Sequence, residues 1–164
     1  MARTGVAVGP DEFKHALARR AAGVSIVTTR AGERVHGMTV SAFAEVSLVP
    51  PLVLICADKS SNTLPLIEES RVFAVNLLAR DQEALSNRFA SKKDEWRRFD
   101  GLELDRGATG APLLRGVVAN LDCRVVAAHA HGDHVVYVGL VEEARWFERP
   151  PLLHFRSRYG SFEV

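Results

Sequence analysis

Apolar and polar residues alternate along most of this chain with the two-residue period of β-strands. Strands are predicted at 24–30, 34–42, 43–49, 52–57, 71–78, 117–131 and 134–147. Tight-turn residues separate several of them, such as Ala31-Gly32-Glu33-Arg34 and Gly132-Asp133. Pro50-Pro51 lacks donors for a strand ladder, so the chain should leave the sheet or lie at its edge there. The apolar run 52–57 predicts a strand that is covered on both faces.

Helical spacing is confined to a few short segments, predicted at 10–21, 63–69 and 81–90, with a charged helical turn over 92–99. Asn62 is expected to cap the second helix, with Pro65 in its first turn, and Asp81 to cap the third. In the third helix, Ala84, Leu85 and Phe89 are expected to point inward. Residues 100–112 read as a loop.

The fold predicted from these elements is mainly β (α+β), an antiparallel barrel with short helices on its outside. The strands do not alternate regularly with helices, and no GxGxxG element follows a strand, which argues against a parallel dinucleotide-binding sheet. Residues 1–9 are expected to form a disordered lead, and residues 10–164 a single domain.

Composition narrows the function classes. The chain has 164 residues, with 47% hydrophobic and 25% charged residues and a net charge of +1. A net charge this close to zero gives no electrostatic reason to expect binding to nucleic acid or to a membrane surface. No apolar run is long enough for a membrane span. A cytoplasmic location is expected. Cys56 and Cys123 are expected to be free thiols in apolar strands, with a disulfide between strands as the alternative.

The stretch 37–63 carries the first candidate chemistry. Thr39 and Ser41 share one strand face, and Gly37 permits close approach, so hydroxyls and edge N–H groups suit a flat heteroaromatic ring. The alternative is a half-exposed strand whose hydroxyls face water. The following turn, with Lys59 and several hydroxyl and amide side chains, suits an anion at a helix start, or is simply a helix cap.

Two further groups have open interpretations. In the hairpin His131-Gly132-Asp133-His134, a histidine is suited to positioning a second ligand. No carboxylate or cysteine completes a metal set at a recognisable spacing, so no metal is predicted.

The segment 156–159 carries two arginines and a tyrosine, which form either a phosphate clamp or a solvated tail. Arg88 is suited to a salt bridge or to a phosphate. No GxSxG, HExxH or P-loop pattern is present, which disfavours a hydrolase.

Seven ordered segments together resemble a known family. They are AAGVSIVTT, GMTVSAFAEVSLVPPLVL, SSNT, FAVNLL, NRFA, GDH and RSRY, spread over about residues 11–160. In this order and spacing they resemble the short flavin reductases, which serve as the small component of two-component flavin-dependent monooxygenases. The resemblance implies an FMN-binding split β-barrel that binds flavin noncovalently and usually forms a homodimer.

The resemblance also implies site residues. The isoalloxazine is expected along Met38, Thr39, Val40, Ser41 and Ala42. Beside it should lie Cys56, Ala57 and Asp58, with Ser61, Asn62 and Thr63 at the ribityl phosphate and Arg88 and Phe89 near that end. His134 and Tyr159 are expected to face the nicotinamide. The catalytic candidates are Thr39, Ser41 and His134. Ala42 departs from the family, where many members have a second serine, so a hydrogen bond to the ligand is expected there from the backbone and not from the side chain.

The function implied is hydride transfer from NADH or NADPH to FMN or FAD, an oxidoreductase activity that supplies reduced flavin to a separate monooxygenase. Three alternatives stay open on the sequence. They are a split-barrel flavin-binding protein without reductase turnover, a flavoenzyme like pyridoxamine-phosphate oxidase, and a structural or partner-binding domain.

Overall fold

Antiparallel strands make up most of the computed structural model, which describes residues 7–162. In that part of the chain there are three α-helices, α1 Pro10–Leu17, α2 Leu64–Ser70 and α3 Glu83–Ala90, and a 3₁₀ helix at Glu95–Arg97. The strands are β1 Ala22–Gly23, β2 Ser25–Ala31, β3 Arg34–Val40, β4 Phe43–Ser47, β5 Leu52–Asp58, β6 Val72–Leu77, β7 Leu104–Arg106, β8 Pro112–Leu114, β9 Ala119–His131, β10 His134–Trp146, β11 Leu152–Phe155 and β12 Arg158–Ser161.

The main sheet has seven strands in the order β3-β2-β6-β9-β10-β5-β4. β3 and β4 lie at opposite edges, yet only Ser41 and Ala42 separate them in the chain. From Val40 to Phe43 the chain spans at most about 11 Å, so the two edges must meet and the sheet must roll up. The Ala42 carbonyl accepts a hydrogen bond from the Cys56 N–H on β5, 3.0 Å away. The predicted antiparallel barrel is confirmed, and residues 41–42 form its seam.

Two cores flank β2, which is buried on both faces. Val27 faces the barrel interior, where it joins large side chains such as Phe73 and Tyr137. Ile26 points the other way, into a second core that includes Phe89 of α3. This arrangement holds α3 against the outside of the barrel, next to β3.

The prediction that β5 is covered on both faces is wrong. Its residues alternate between buried and partly buried, because Val53, Ile55 and Ala57 face the core and the intervening residues face outward. The connection before β5 also leaves Leu48 and Val49 88% and 92% exposed. The described part of the chain therefore leaves apolar surface around β4 and β5 only partly covered.

Several helix boundaries also differ from the predictions. α1 ends at Leu17 rather than at residue 21, because Ala22 pairs with His154 in the small sheet β1-β11-β12. α1 buries none of its residues, and Phe13 and Leu17 are more than half exposed.

The predicted caps of α2 and α3 are wrong. Thr63 is the N-cap of α2 and Gln82 that of α3, and neither helix has a side-chain cap. Asn62 donates instead to Glu95, and Asp81 accepts a hydrogen bond from Arg149. The inward position predicted for Ala84 is also wrong, since that residue is exposed, whereas Phe89 is fully buried.

The segment predicted as a loop over 100–112 contains β7, which pairs with β8. Asp122 holds the connection between them by accepting hydrogen bonds from the Thr109 N–H and hydroxyl. Both cysteines are free, and burial raises the pKa of Cys123 to about 12. No helix in residues 7–162 is both long and apolar enough for a membrane span. The predicted disordered lead falls largely on residues 1–6, outside the described residues.

Candidate functional site

The barrel seam presents unpaired backbone donors to the surface. Ser41 and Ala42 belong to no strand, and among the described residues their N–H groups have no hydrogen-bond partner. The Ser41 side chain is exposed, and its hydroxyl likewise has no partner in that part of the chain. These three donors, two N–H groups and one hydroxyl, thus lie side by side at the seam of the barrel. Such a row suits the carbonyl and imine acceptors along the edge of a flat heteroaromatic ring.

Side chains on either side of the seam alternate as the sequence predicts. Met38 and Val40 are buried in the barrel core, so only their backbone is available to a ligand. Thr39 and Ser41 face the other way and line a cavity of about 220 Å³ between β3, α3 and the β11–β12 hairpin. We call it the ring cavity, and its other walls include Ser86, Ala90, His154 and Tyr159.

Hydrogen bonds fix the walls of the ring cavity. The Thr39 hydroxyl donates to the Ser86 carbonyl at 2.6 Å. The Tyr159 hydroxyl donates to Asn87 Oδ1 at 3.0 Å, and because it has a single proton, the Ser86 hydroxyl 2.9 Å away must donate to it. Thr39 has therefore already used its proton, whereas Ser41 retains a free donor.

The turn 58–63 lies at the other end of the candidate site. Ser61 Oγ is 3.2 Å from Met38 Sδ and also accepts from the Thr63 N–H. The Asn62 N–H has no partner among the described residues. The Lys92 ammonium lies 3.4 Å from the Ser60 hydroxyl. A free N–H, a hydroxyl and a cation at one turn form a donor set that suits a phosphate.

The predicted anion site at the helix start is not what this turn provides. The Leu64 N–H donates to the Ser61 carbonyl and Pro65 has none, so the first residues of α2 offer few free donors. The donors for an anion come from the turn and from Lys92 instead.

A half-buried charge cluster holds this turn in place. Glu95 accepts from Asn62 at 2.9 Å and lies 3.3 Å from both His36 Nε2 and Arg98. His36 Nδ1 lies 2.8 Å from the Thr63 hydroxyl. The hydrogen bond from Asn62 lowers the pKa of Glu95, and burial, aided by Arg98, lowers the pKa of His36. Glu95 is thus held as a carboxylate beside a neutral imidazole.

The structure places Arg88 and Phe89 behind the site. Arg88 donates to the carbonyls of Arg97 and Asp100, both at 2.6 Å, which ties the turn after the 3₁₀ helix to α3. Phe89 is fully buried, and its ring meets that of Phe99 edge to face with centroids 5.1 Å apart. In this arrangement both residues support the site rather than line it.

His134 lies with the turn 58–63, away from the residues that line the ring cavity. It pairs with Asp58 across β5 and β10, and its Nδ1 is 2.7 Å from Asp133 Oδ1. A backbone hydrogen bond from Ser60 lowers the pKa of Asp58. Tyr159 is at the α3 end, so within this chain the structure does not bring the two predicted nicotinamide contacts together. Of the other predicted residues, Ala57 is buried and Cys56 is partly exposed beside the seam.

Residues 17–163 match the family model described as the flavin reductase-like domain.

The chain belongs to this flavin reductase-like family.

Curated relatives agree with the family match. The chain is 41% identical to the reductase component of 4-hydroxyphenylacetate 3-monooxygenase from Thermus thermophilus, over 91% of this chain and 94% of the relative. It is 40% identical to the FMN reductase (NADH) SmoA from Agrobacterium fabrum, over 92% of this chain and 84% of that protein.

A solved structure is also similar. The structure of the NADH:FAD oxidoreductase SgcE6 from Streptomyces globisporus, in complex with NAD and FAD fragments, superposes with a TM-score of 0.87 at 32% identity. The alignment covers 97% of this chain and 98% of that one. The family resemblance seen in the sequence is confirmed.

Sequence reasoning missed several residues of this flavin reductase-like domain. Ser86 and His154 line the ring cavity, and His36 and Arg98 complete the cluster around Glu95. His154 left a signal, because it is the one polar residue in the apolar run Leu152–Phe155. Arg98 left one too, because it pairs with Glu95 at i,i+3 spacing. Ser86 and His36 left none, since their partners are 27 or more residues away in the chain.

Proposed function

We propose that this protein is an NADH-dependent flavin reductase that passes reduced flavin to a separate monooxygenase. The observation that carries the proposal is the row of free donors at the barrel seam, formed by the Ser41 hydroxyl and the N–H groups of Ser41 and Ala42. They border a cavity lined by an aromatic ring and hydroxyl groups. The names of the relatives, which include an FMN reductase (NADH) and an NADH:FAD oxidoreductase, supply the donor and the flavin class.

The seam supports the ring end of a flavin. A bound flavin supplies the hydride acceptor, and NADH supplies the hydride. The Ser41 hydroxyl and the two N–H groups would hold the acceptor edge of the ring, where negative charge grows during reduction. These donors sit on a backbone fixed at both ends by strands, so little reorganisation is needed as charge develops.

The turn 58–63 is suited to the phosphate end. The Asn62 N–H, the Ser60 hydroxyl and Lys92 supply donors and positive charge, and the Glu95 cluster holds the turn still. Ser61 and Thr63 act mainly by shaping the turn, because their hydroxyls contact Met38 and His36.

His134 is proposed to orient the dinucleotide. Its ring is partly exposed and is held by Asp133, which restricts its rotation. The hydride transfer itself requires no general base, and this agrees with a site built from hydroxyl and N–H donors. Because Ser41 and Asn62 are exposed, the flavin has a route for release after reduction.

A homodimer is part of the proposal, and so is a cytoplasmic location. The exposed apolar residues on α1 and before β5, together with the half-covered face of β5, give a surface that a second copy would bury. Sedimentation analysis tests this, with a mass of about twice 18.0 kDa expected. Both cysteines are free, as in a reducing compartment.

The deciding experiment is an aerobic oxidation assay with NADH and with NADPH, each in the presence of riboflavin, FMN or FAD. Turnover with NADH that depends on added flavin supports the proposal. Flavin binding without NADH oxidation would instead indicate a protein that holds flavin without turnover. A tightly retained FMN with no NADH oxidation would favour an oxidase like the pyridoxamine-phosphate enzymes.

A further inference from the structure

A second and larger cavity adjoins the ring cavity. It has a volume of about 630 Å³ and is lined by residues of the β11–β12 hairpin and by Ala21. Tyr159 lines both cavities, so the two are neighbours on either side of this residue. We call it the hairpin cavity.

Two arginines give the hairpin cavity its charge. Arg156 and Arg158 both line it, and neither makes a hydrogen bond or an ion pair within residues 7–162. Several other arginines are engaged: Arg115 pairs with two carboxylates and Arg149 with one. Among residues 7–162, no acidic side chain lines the hairpin cavity. Its positive charge is therefore available to an anion.

The hairpin turn itself holds Arg156 in a costly conformation. Arg156 and Ser157 have φ angles of 50° and 61° and form the two-residue turn between β11 and β12. Turns of this kind prefer Asn-Gly, and a non-glycine residue at positive φ costs on the order of 1 kcal/mol. Strain of this kind is characteristic of ligand clamps, and here the strained Arg156 lines the hairpin cavity.

We propose that the hairpin cavity binds the diphosphate of a dinucleotide whose redox ring lies in the ring cavity. The inference rests on the proposed function for the identity of that ring. Guanidinium groups pair with phosphate oxygens in a two-pronged geometry, and two of them match the two phosphates. Leu153 and Phe155 on the same walls provide apolar surface for the nucleoside beyond. NADH and FAD both contain this diphosphate, whereas FMN does not.

Two variants remove the charge without weakening the fold. Arg156→Asn combined with Ser157→Gly installs the preferred turn, so its thermal stability should equal or exceed that of the parent. Arg158→Gln keeps an exposed strand side chain of similar length. Ser157→Gly alone, which retains Arg156, controls for the turn, and Arg106→Gln, another exposed and unpaired arginine, controls for net charge.

Equilibrium binding by calorimetry, with no turnover, is the main measurement. The probes are inorganic pyrophosphate, ADP-ribose, NAD⁺, FAD and FMN. Each charge-removing variant should bind pyrophosphate and ADP-ribose about 10-fold more weakly, since a charge-assisted hydrogen bond is lost. The two controls should bind as the parent does.

The dinucleotides distinguish the source of the diphosphate. A loss for NAD⁺ with FAD unchanged assigns the cavity to the nicotinamide dinucleotide, which leaves the flavin phosphate at the turn 58–63. The reverse assigns it to FAD, whose phosphate would then lie at the hairpin cavity instead of at that turn. FMN binding should not change in either case.

Unchanged binding of pyrophosphate and ADP-ribose in both variants would overturn the inference, as would an equal loss of FMN binding. These results are independent of the proposed reductase activity. A protein that failed to oxidise NADH would still pass or fail the pyrophosphate test.

Discussion

The hydroxyl of Thr39 donates to the backbone carbonyl of Ser86, and this 2.6 Å bond joins β3 to α3 across the ring cavity. Because a threonine hydroxyl has one proton, Thr39 is not free to donate to a ligand in this arrangement. Ser41, two residues along the same face, has no partner in the described part of the chain. Two hydroxyls that look equivalent in the sequence therefore have different roles.

Ser41→Ala should lower kcat/KM for flavin reduction about 10-fold, which corresponds to about 1.4 kcal/mol of lost transition-state stabilisation. Its melting temperature should stay at that of the parent, since the side chain is exposed. Steady-state kinetics with NADH and FMN, together with thermal melts, check both statements.

Thr39→Val is the matched variant, because it keeps the side-chain shape and removes the hydroxyl. It should destabilise the protein by about 1 kcal/mol through the lost bond to α3. A Ser41→Ala enzyme with parental kcat/KM would contradict the assignment of the free donor.

His134→Ala should raise the KM for NADH about 10-fold while changing flavin affinity little, because the ring is held by Asp133 away from the seam donors. His129→Ala, an exposed histidine on the partner strand β9, is the control and should have no effect. Initial rates at varied NADH and varied flavin separate the two constants. An unchanged KM for NADH would remove His134 from the site.

Gly37→Ala should destabilise the protein by about 1–3 kcal/mol. A Cβ there would lie 2.9 Å from the Val27 carbonyl oxygen and 3.0 Å from the Phe89 ring. Gly37 thus permits the close approach of α3, where the sequence suggested the approach of a ligand. Gly23→Ala, which meets nothing within 4 Å, should be neutral within about 0.5 kcal/mol. Urea unfolding of both variants tests this, and equal midpoints would contradict it.

His36→Gln should flatten the pH dependence of stability. Burial and Arg98 lower the pKa of His36 below 6.5, although Glu95 opposes this. The unfolded chain therefore takes up a proton at a pH where the folded protein does not, so the free energy of unfolding falls as the pH drops below 6.5. Unfolding between about pH 7.5 and 5.5, above the range of most carboxylates, should show this slope in the parent and a shallower one in the variant. An unchanged slope would contradict the assignment, and His129→Gln serves as the surface control.

The sequence by itself determined the strand pattern, the hairpins around Gly32 and Gly132, and the family. These depend on local period and turn chemistry, which are carried by neighbouring residues. It also placed Thr39 and Ser41 on one face, which the ring cavity confirms. The roles assigned to the site residues stay predictions, to be decided by the variants above.

The tertiary structure decided which hydrogen-bond partner each polar group has and which groups have none. Asn62 and Asp81 looked like helix caps, but Glu95 and Arg149, more than 30 residues away, compete for their side chains. The seam at 41–42 exists only because β3 and β4 lie at opposite edges of one rolled sheet. Such long-range pairings leave no period in the sequence. The pattern therefore predicts where donors occur, and only the folded chain shows which of them remain unpaired.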